Sequence, residues 1–208
     1  MRLAALSSIA LLAACTSAPA EPPVPADSSD ALSVVAAARQ CDPADFEGMD
    51  MPDIGRPQFE GNPSLADRNQ LEGELYIERM NLQPCVYALP SGLHFRILRA
   101  MTDETLPSPE ASEMVIANYE IRPAEGEIMQ SSFATGEPLR GSVGRFIPAW
   151  NEALTLMRPG EEWELFVPSA LGYGARGIPG SPIGPNQALY FRMELICLPG
   201  RDDGGCEA

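Results

Sequence analysis

The sequence predicts an α+β domain built mainly from an antiparallel sheet, spanning about residues 88–199. Two observations carry this. Four segments alternate apolar and polar residues with period two, as strands with one buried face do. Among them, one segment repeats apolar residues at helical spacing. No internal repeat is apparent.

The first strand follows the turn Pro90-Ser91-Gly92: Leu93, Phe95 and Ile97 alternate with His94, Arg96 and Leu98. His94 falls on the more polar face and reads as a solvated side chain. The second strand holds Val115, Ala117, Tyr119 and Ile121, the third Trp163, Leu165 and Val167, and the fourth Leu189, Phe191, Met193 and Leu195. Between the second and third, Ile147, Trp150, Leu154 and Met157 fall at i, i+3, i+7 and i+10 before Arg158-Pro159-Gly160 stops the run. That is one short helix laid against the sheet. Upstream, a further helix is expected near 64–82. Ser64 caps it, Asp67 complements its positive end, and Leu71, Leu75 and Leu82 fall near one face as a packing stripe. Residues 31–63 carry an apolar patch from Leu32 to Ala38 and then a stretch rich in Pro, Gly, Asp and Met without a clear period.

The N-terminus reads as an address. Residues 1–14 run from Arg2 through an apolar stretch too short to span a membrane, ending in Ala13 and Ala14 before Cys15. Leu12-Ala13-Ala14-Cys15 resembles the lipobox of bacterial lipoproteins, in which the cysteine is lipidated and buries acyl chains in the bilayer. Thr16 in place of aspartate resembles lipoproteins sorted to the outer membrane. Residues 15–35 then form a polar, proline-rich tether. Residues 36–87 are an arm containing the first helix, and residues 200–208 a polar tail. Export implies an oxidising compartment. Beyond Cys15 there are four cysteines, Cys41, Cys85, Cys197 and Cys206, enough for two disulfides with three alternative pairings, against free buried thiols as the competitor.

Composition removes many chemistries. The 208 residues carry 29 acidic and 14 basic side chains, a formal charge of -15, with one histidine. Every basic residue is arginine and none gathers into a stripe, which argues against a nucleic-acid partner. Without lysine there is no Schiff base and no lysine-bearing phosphate loop, and a single histidine leaves few nucleophile or zinc arrangements. No metal or cofactor is called for. The glycine-rich loop from Gly172 to Asn186 includes Pro179, Pro182 and Pro185, which lack the backbone donors of a phosphate cradle, so it reads as a flexible rim facing substrate. Glu161, Glu162 and Glu164 read as a solvated strand edge.

Taken in order, several segments resemble the FKBP-type peptidyl-prolyl cis-trans isomerases over roughly residues 88–198. They are LPSGLHFRIL (89–98), Asn118-Tyr119, Gly126, Ser131-Ser132, Gly136-Glu137-Pro138, Phe146-Ile147-Pro148-Ala149-Trp150, RPGEEWELFVPSALGYGARGIPG (158–180), Pro185-Asn186 and ALYFRMELI (188–196). The helix from Ser64, with Asn69 and Gly73, is similar to the arm of longer bacterial members. The resemblance implies a curved antiparallel sheet wrapped around one short helix, with an aromatic pocket between them. It also implies proline-containing polypeptide clients and leaves a homodimer through the arm open.

Carried over, Tyr119 walls the pocket, Phe146 and Ile147 flank it, Trp150 is its floor and Phe191 closes its base. The Ile147 N–H and the Tyr173 hydroxyl are implied substrate donors. Leu139, Ile178 and Ile183 are implied rim contacts, Leu139 standing for a usual phenylalanine. Met129-Gln130 stands where the family has Phe-Asp, so Gln130 keeps hydrogen bonding without the charge and Met129 keeps volume without ring rigidity. The implied activity is catalysed rotation about X-Pro bonds during folding of exported proteins in a bacterial envelope. Gln130 favours the alternative, a peptide-binding chaperone of the same fold with little turnover.

Overall fold

In the computed structural model, residues 21–47, 53–103 and 105–206 are described. The expected signal and lipidated Cys15 lie outside them. Four helices, α1 (Ala31–Ala38), α2 (Leu65–Asn81), α3 (Ser132–Thr135) and α4 (Pro148–Leu154), accompany seven strands. These are β1 (Tyr87–Ala88), β2 (His94–Arg99), β3 (Met114–Pro123), β4 (Gln130–Ser131), β5 (Leu139–Ser142), β6 (Glu162–Val167) and β7 (Leu189–Cys197). All pairings are antiparallel, in the order β1-β2-β6-β7-β3-β4, with β5 on β3 beside β4. The expected α+β antiparallel class is met. Register shifts between Ile97 and Arg99 and between Ile116 and Ala117 are the kind of bulge that bends a sheet.

The main core gathers the inward residues of the four expected strands with Ala149, Trp150, Ala153 and Leu154 of α4. Phe95 stacks on Trp163 with ring centroids 4.7 Å apart. Burying each such side chain contributes about 1.5–3 kcal/mol.

The expectation of one buried face per strand fails at the sheet's centre. On β6 both faces are buried, because α2 covers the outer one: Tyr76 meets Phe166 at 6.1 Å, and Phe166 meets Tyr190 at 6.0 Å. Helix α2 has the expected cap at Ser64, closed into a capping box with Asp67, but a different packing stripe. Its buried residues are Asn69, Gly73 and Tyr76, while Leu82 is 44% exposed. Gly73 decides this, since a Cβ there would come 2.9 Å from Ala188 Cβ; the helix lies too close for a larger residue.

Ala31–Ala38, which the sequence divides between tether and arm, is one helix. Asp30 caps it by accepting from the Ser33 N–H at 3.0 Å, and Val34, Val35, Ala37 and Ala38 join the main core. Cys41 is bonded to Cys85 and Cys197 to Cys206. Residues 200–206 of the expected polar tail are accordingly held in place. The Leu198 N–H donates to the Gly204 carbonyl at 2.8 Å, and Arg201 pairs with Glu113 at 3.3 Å.

The three glutamates are not a solvated edge. Glu161 is 0% exposed and Glu162 is buried as well. Arg39 holds both Glu161 carboxylate oxygens, at 2.7 and 3.1 Å, and the Trp163 Nε1–H donates to the same group at 3.1 Å. Arg192 meets Glu162 and Arg96 meets Glu164, each at 2.5 Å. A buried carboxylate is tolerable only with such partners.

Candidate functional site

Trp150 stands at the centre of the site. The N-terminal turn of α4 starts at Pro148, whose missing N–H costs nothing there, and places Trp150 beneath three rings. Tyr119 lies 5.3 Å away edge-on, Phe146 5.4 Å away and tilted, and Phe191 5.4 Å away edge-on. Edge contacts of this kind add to the burial energy and fix ring orientation. Above them opens a cavity of about 470 Å³, lined also by Ile121, Gln130, Leu139, Arg145, Ile147 and Tyr173.

Each wall is held from behind. Tyr119 is fixed through Ser132, which is buried: the Tyr119 N–H donates to Ser132 Oγ at 2.8 Å, and that hydroxyl lies 3.0 Å from Asn118 Oδ1. The loop carrying Phe146 is clamped by Asn151. Its Oδ1 accepts from the Gly144 N–H at 2.7 Å and the Phe146 N–H at 3.3 Å, while its Nδ2 donates to the Phe146 carbonyl at 2.8 Å. Phe146 in turn needs Gly141 opposite it, where a Cβ would fall 2.5 Å from the ring.

The polar groups at the cavity are donors without partners. Among the described residues, the Ile147 N–H and the Tyr119 and Tyr173 hydroxyls have no hydrogen-bond acceptor. Burial pushes both phenols above their ordinary value, and each therefore stays protonated at neutral pH. Arg145 is the one charged side chain in the lining. The Trp150 Nε1–H is buried without a partner among the described residues.

Of the residues singled out from sequence, Tyr119, Gln130, Leu139, Phe146, Ile147, Trp150, Tyr173 and Phe191 come together here. Met129, Ile178 and Ile183 do not. Met129 and Ile178 pack against the core from outside the cavity, and Ile183 is 3% exposed within the core rather than at a rim.

The loop expected to be a flexible rim is instead pinned. The Ile178 N–H donates to the Ile183 carbonyl at 2.9 Å, and the Asn186 N–H donates to the Gly174 carbonyl at 2.9 Å. Asn69 Nδ2 of α2 donates to the Pro185 carbonyl at 2.8 Å. At Gly177, with φ at 58°, a Cβ would strike the Gly184 and Ile183 carbonyls at 2.4 Å.

His94 is half-buried rather than solvated, facing a groove under α2 with its Nδ1 3.1 Å from the Gly92 carbonyl. Sequence reasoning assigns no role at the site to four residues that the structure places in or behind it. Ile121 shares the face of Tyr119 by strand alternation, which was signal enough. Arg145, Ser132 and Asn151 act through loop and turn geometry that periodicity does not report.

Comparison with known proteins agrees with this geometry. Residues 107–196 match the family model described as FKBP-type peptidyl-prolyl cis-trans isomerase. The chain is 37% identical over 133 residues to the outer membrane protein MIP of Legionella longbeachae, covering 64% of this chain and 55% of that protein. It is 40% identical over 116 residues to the peptidyl-prolyl cis-trans isomerase Mip of Coxiella burnetii, covering 56% and 49%. The chain thus spans about half the length of these relatives.

Among solved structures, FkpA from Escherichia coli superposes with a TM-score of 0.58 at 31% identity, over 63% of this chain and 59% of that one. A peptidyl-prolyl cis-trans isomerase from Pseudomonas syringae gives 0.58 at 28% identity, over 66% and 98%. The curved sheet around α4 is the FKBP fold, and residues 107–196 within it match the FKBP-type peptidyl-prolyl cis-trans isomerase family.

Proposed function

We propose that the protein catalyses rotation about X-Pro bonds in polypeptides. One observation carries the reading: the aromatic cup around Trp150 is ringed by hydrogen-bond donors that no group among the described residues uses. Amide resonance sets a barrier of about 18–20 kcal/mol, so X-Pro bonds interconvert in tens to hundreds of seconds. In the twisted amide resonance is lost and the group is less polar, so a dry apolar cup suits it better than water does. The proline ring seats against Trp150, Phe146 and Phe191. The Ile147 N–H holds a substrate carbonyl and Tyr173 donates from the opposite side. Only interactions stronger in the twisted state than in the planar one accelerate the step. No proton moves, which fits a site whose single charged group is a guanidinium.

On this reading residues 88–199 are the catalytic unit and residues 36–87 an arm packed on it. The chain is lipidated at Cys15, is held on the periplasmic side of the outer membrane, and meets exported proteins whose folding waits on proline. A homodimer would have to use surfaces other than the face of α2 already spent on its own sheet.

Gln130 supports a second reading, a chaperone that binds such segments with little turnover. Refolding of a substrate protein limited by an X-Pro bond separates the two. The isomerase shortens the slow phase at substoichiometric concentration, and Trp150→Ala loses that effect. A protein that suppresses aggregation and leaves the slow phase untouched is the chaperone.

A further inference from the structure

Arg145 is distinguished by where it stands, as the one charged residue lining the cavity. Of the thirteen arginines among the described residues, six, Arg39, Arg79, Arg96, Arg99, Arg192 and Arg201, pair with carboxylates, and seven, Arg145 among them, do not. The chain offers twice as many acidic as basic side chains, 29 against 14. Arg145, exposed at the cavity, meets no carboxylate among the described residues, and its guanidinium donates no hydrogen bond there. The neighbouring Arg140 is no substitute, because Leu139 is the β5 residue in the lining and strand alternation sends Arg140 to the other face.

The backbone under Arg145 is fixed while its head is free. The Arg145 N–H donates to the Ser142 carbonyl at 3.1 Å, and Asn151 holds the flanking residues Gly144 and Phe146. Two residues on, the Ile147 N–H awaits an acceptor. A guanidinium is charged at every working pH and presents donors in a fork that matches a carboxylate. Nothing else in the lining carries charge, Gln130 being neutral, so no group of the lining competes for it.

We infer that Arg145 makes this site prefer proline segments carrying an aspartate or glutamate beside the proline. The inference rests on the isomerase reading. Because the contact is solvent-exposed, its size is that of an exposed ion pair, roughly a two- to five-fold preference that salt removes.

The test compares kcat/KM of the full chain on tetrapeptides differing only as Glu-Pro and Gln-Pro, at low and at high ionic strength, for the wild type, Arg145→Gln and Arg145→Glu. In parallel, tryptophan fluorescence reads the binding of each peptide. The wild type should favour Glu-Pro two- to five-fold at low salt. Arg145→Gln should bring the ratio to about one, and Arg145→Glu should invert it. A wild-type ratio of one, or a preference that survives Arg145→Gln, overturns the inference while turnover of both peptides keeps the isomerase. Absence of turnover on either peptide sinks the isomerase reading instead. The binding ratio then still decides whether Arg145 selects acidic segments.

Discussion

Asn151 holds Phe146 by both of its backbone groups, accepting from its N–H at 3.3 Å and donating to its carbonyl at 2.8 Å. One side chain on α4 thereby sets where a wall ring stands and where the next N–H, that of Ile147, points. Asn151→Leu removes the clamp and leaves the half-buried Phe146 and the exposed Gly144 backbone groups to water, at a cost of about 0.5–1.5 kcal/mol. Isomerisation kcat/KM should fall about ten-fold or more. Asn151→Asp, which keeps the acceptor and loses the donor, should fall between the two. A merely structural Asn151 would lower the melting temperature and leave kcat/KM per folded molecule unchanged.

Gly141→Ala should act on the same wall from the other side. A methyl 2.5 Å from the Phe146 ring cannot be accommodated without moving the ring away from β5. Phe146 would move relative to Trp150, which it now meets at 5.4 Å, so tryptophan emission should change and peptide affinity should drop while the fold persists. Unaltered emission and affinity would show that Phe146 is not part of the working site.

Stability away from the site should depend on Arg39 and Glu161. Glu161 is wholly buried and takes both of its oxygens' main partners from Arg39, the Trp163 indole and the Arg158 N–H. Removing one partner of a buried pair costs about 3–5 kcal/mol. Chemical denaturation of Arg39→Ala should show a loss of that size. A loss below about 1 kcal/mol would mean the pair is solvated.

Two pH profiles follow from burial. The Tyr119 and Tyr173 phenols sit above their ordinary value of 10.0, so both keep their protons and kcat/KM should be flat from about pH 6 to 9. A bell-shaped profile would point to a proton transfer that this site does not need. Stability should behave differently. Burial lowers the His94 pKa from its ordinary 6.5, the Gly92 carbonyl opposing weakly. The unfolded chain therefore takes the proton first. Stability is complete above about pH 6.5 and is lost as pH falls through the lower folded value. His94→Asn should flatten the stability curve between about pH 7 and pH 5. Glu74 and Glu78 border the same groove in both proteins, so the difference between the curves isolates His94.

Much of this was legible because strand alternation and helical spacing are local. Leu93, Phe95 and Ile97 face the core as their spacing says, and Trp150 sits under the rings that flank it in the sequence pattern. The illegible parts depend on contacts between distant segments. Nothing near Phe166 announces that Tyr76 will cover it, and the stripe Leu71, Leu75 and Leu82 outweighs Gly73 by every local measure although Gly73 sets the approach to Ala188. Glu161 looks like surface until Arg39 arrives from α1. Four cysteines allow three pairings, and only the packing of α1 near β1 and of the C-terminal residues against β7 selects Cys41 with Cys85 and Cys197 with Cys206.

The central claim is that this cavity turns X-Pro bonds without a carboxylate at position 130. Exchange spectroscopy by NMR on a Leu-Pro peptide, with a small fraction of protein, reads cis-trans interconversion directly. The account predicts exchange between the two isomers on the second timescale or faster with the wild type, reduced about five-fold by Tyr173→Phe through loss of a hydrogen bond of about 1 kcal/mol. Peptide binding with no exchange in the wild type, and exchange appearing only in Gln130→Asp, would contradict it.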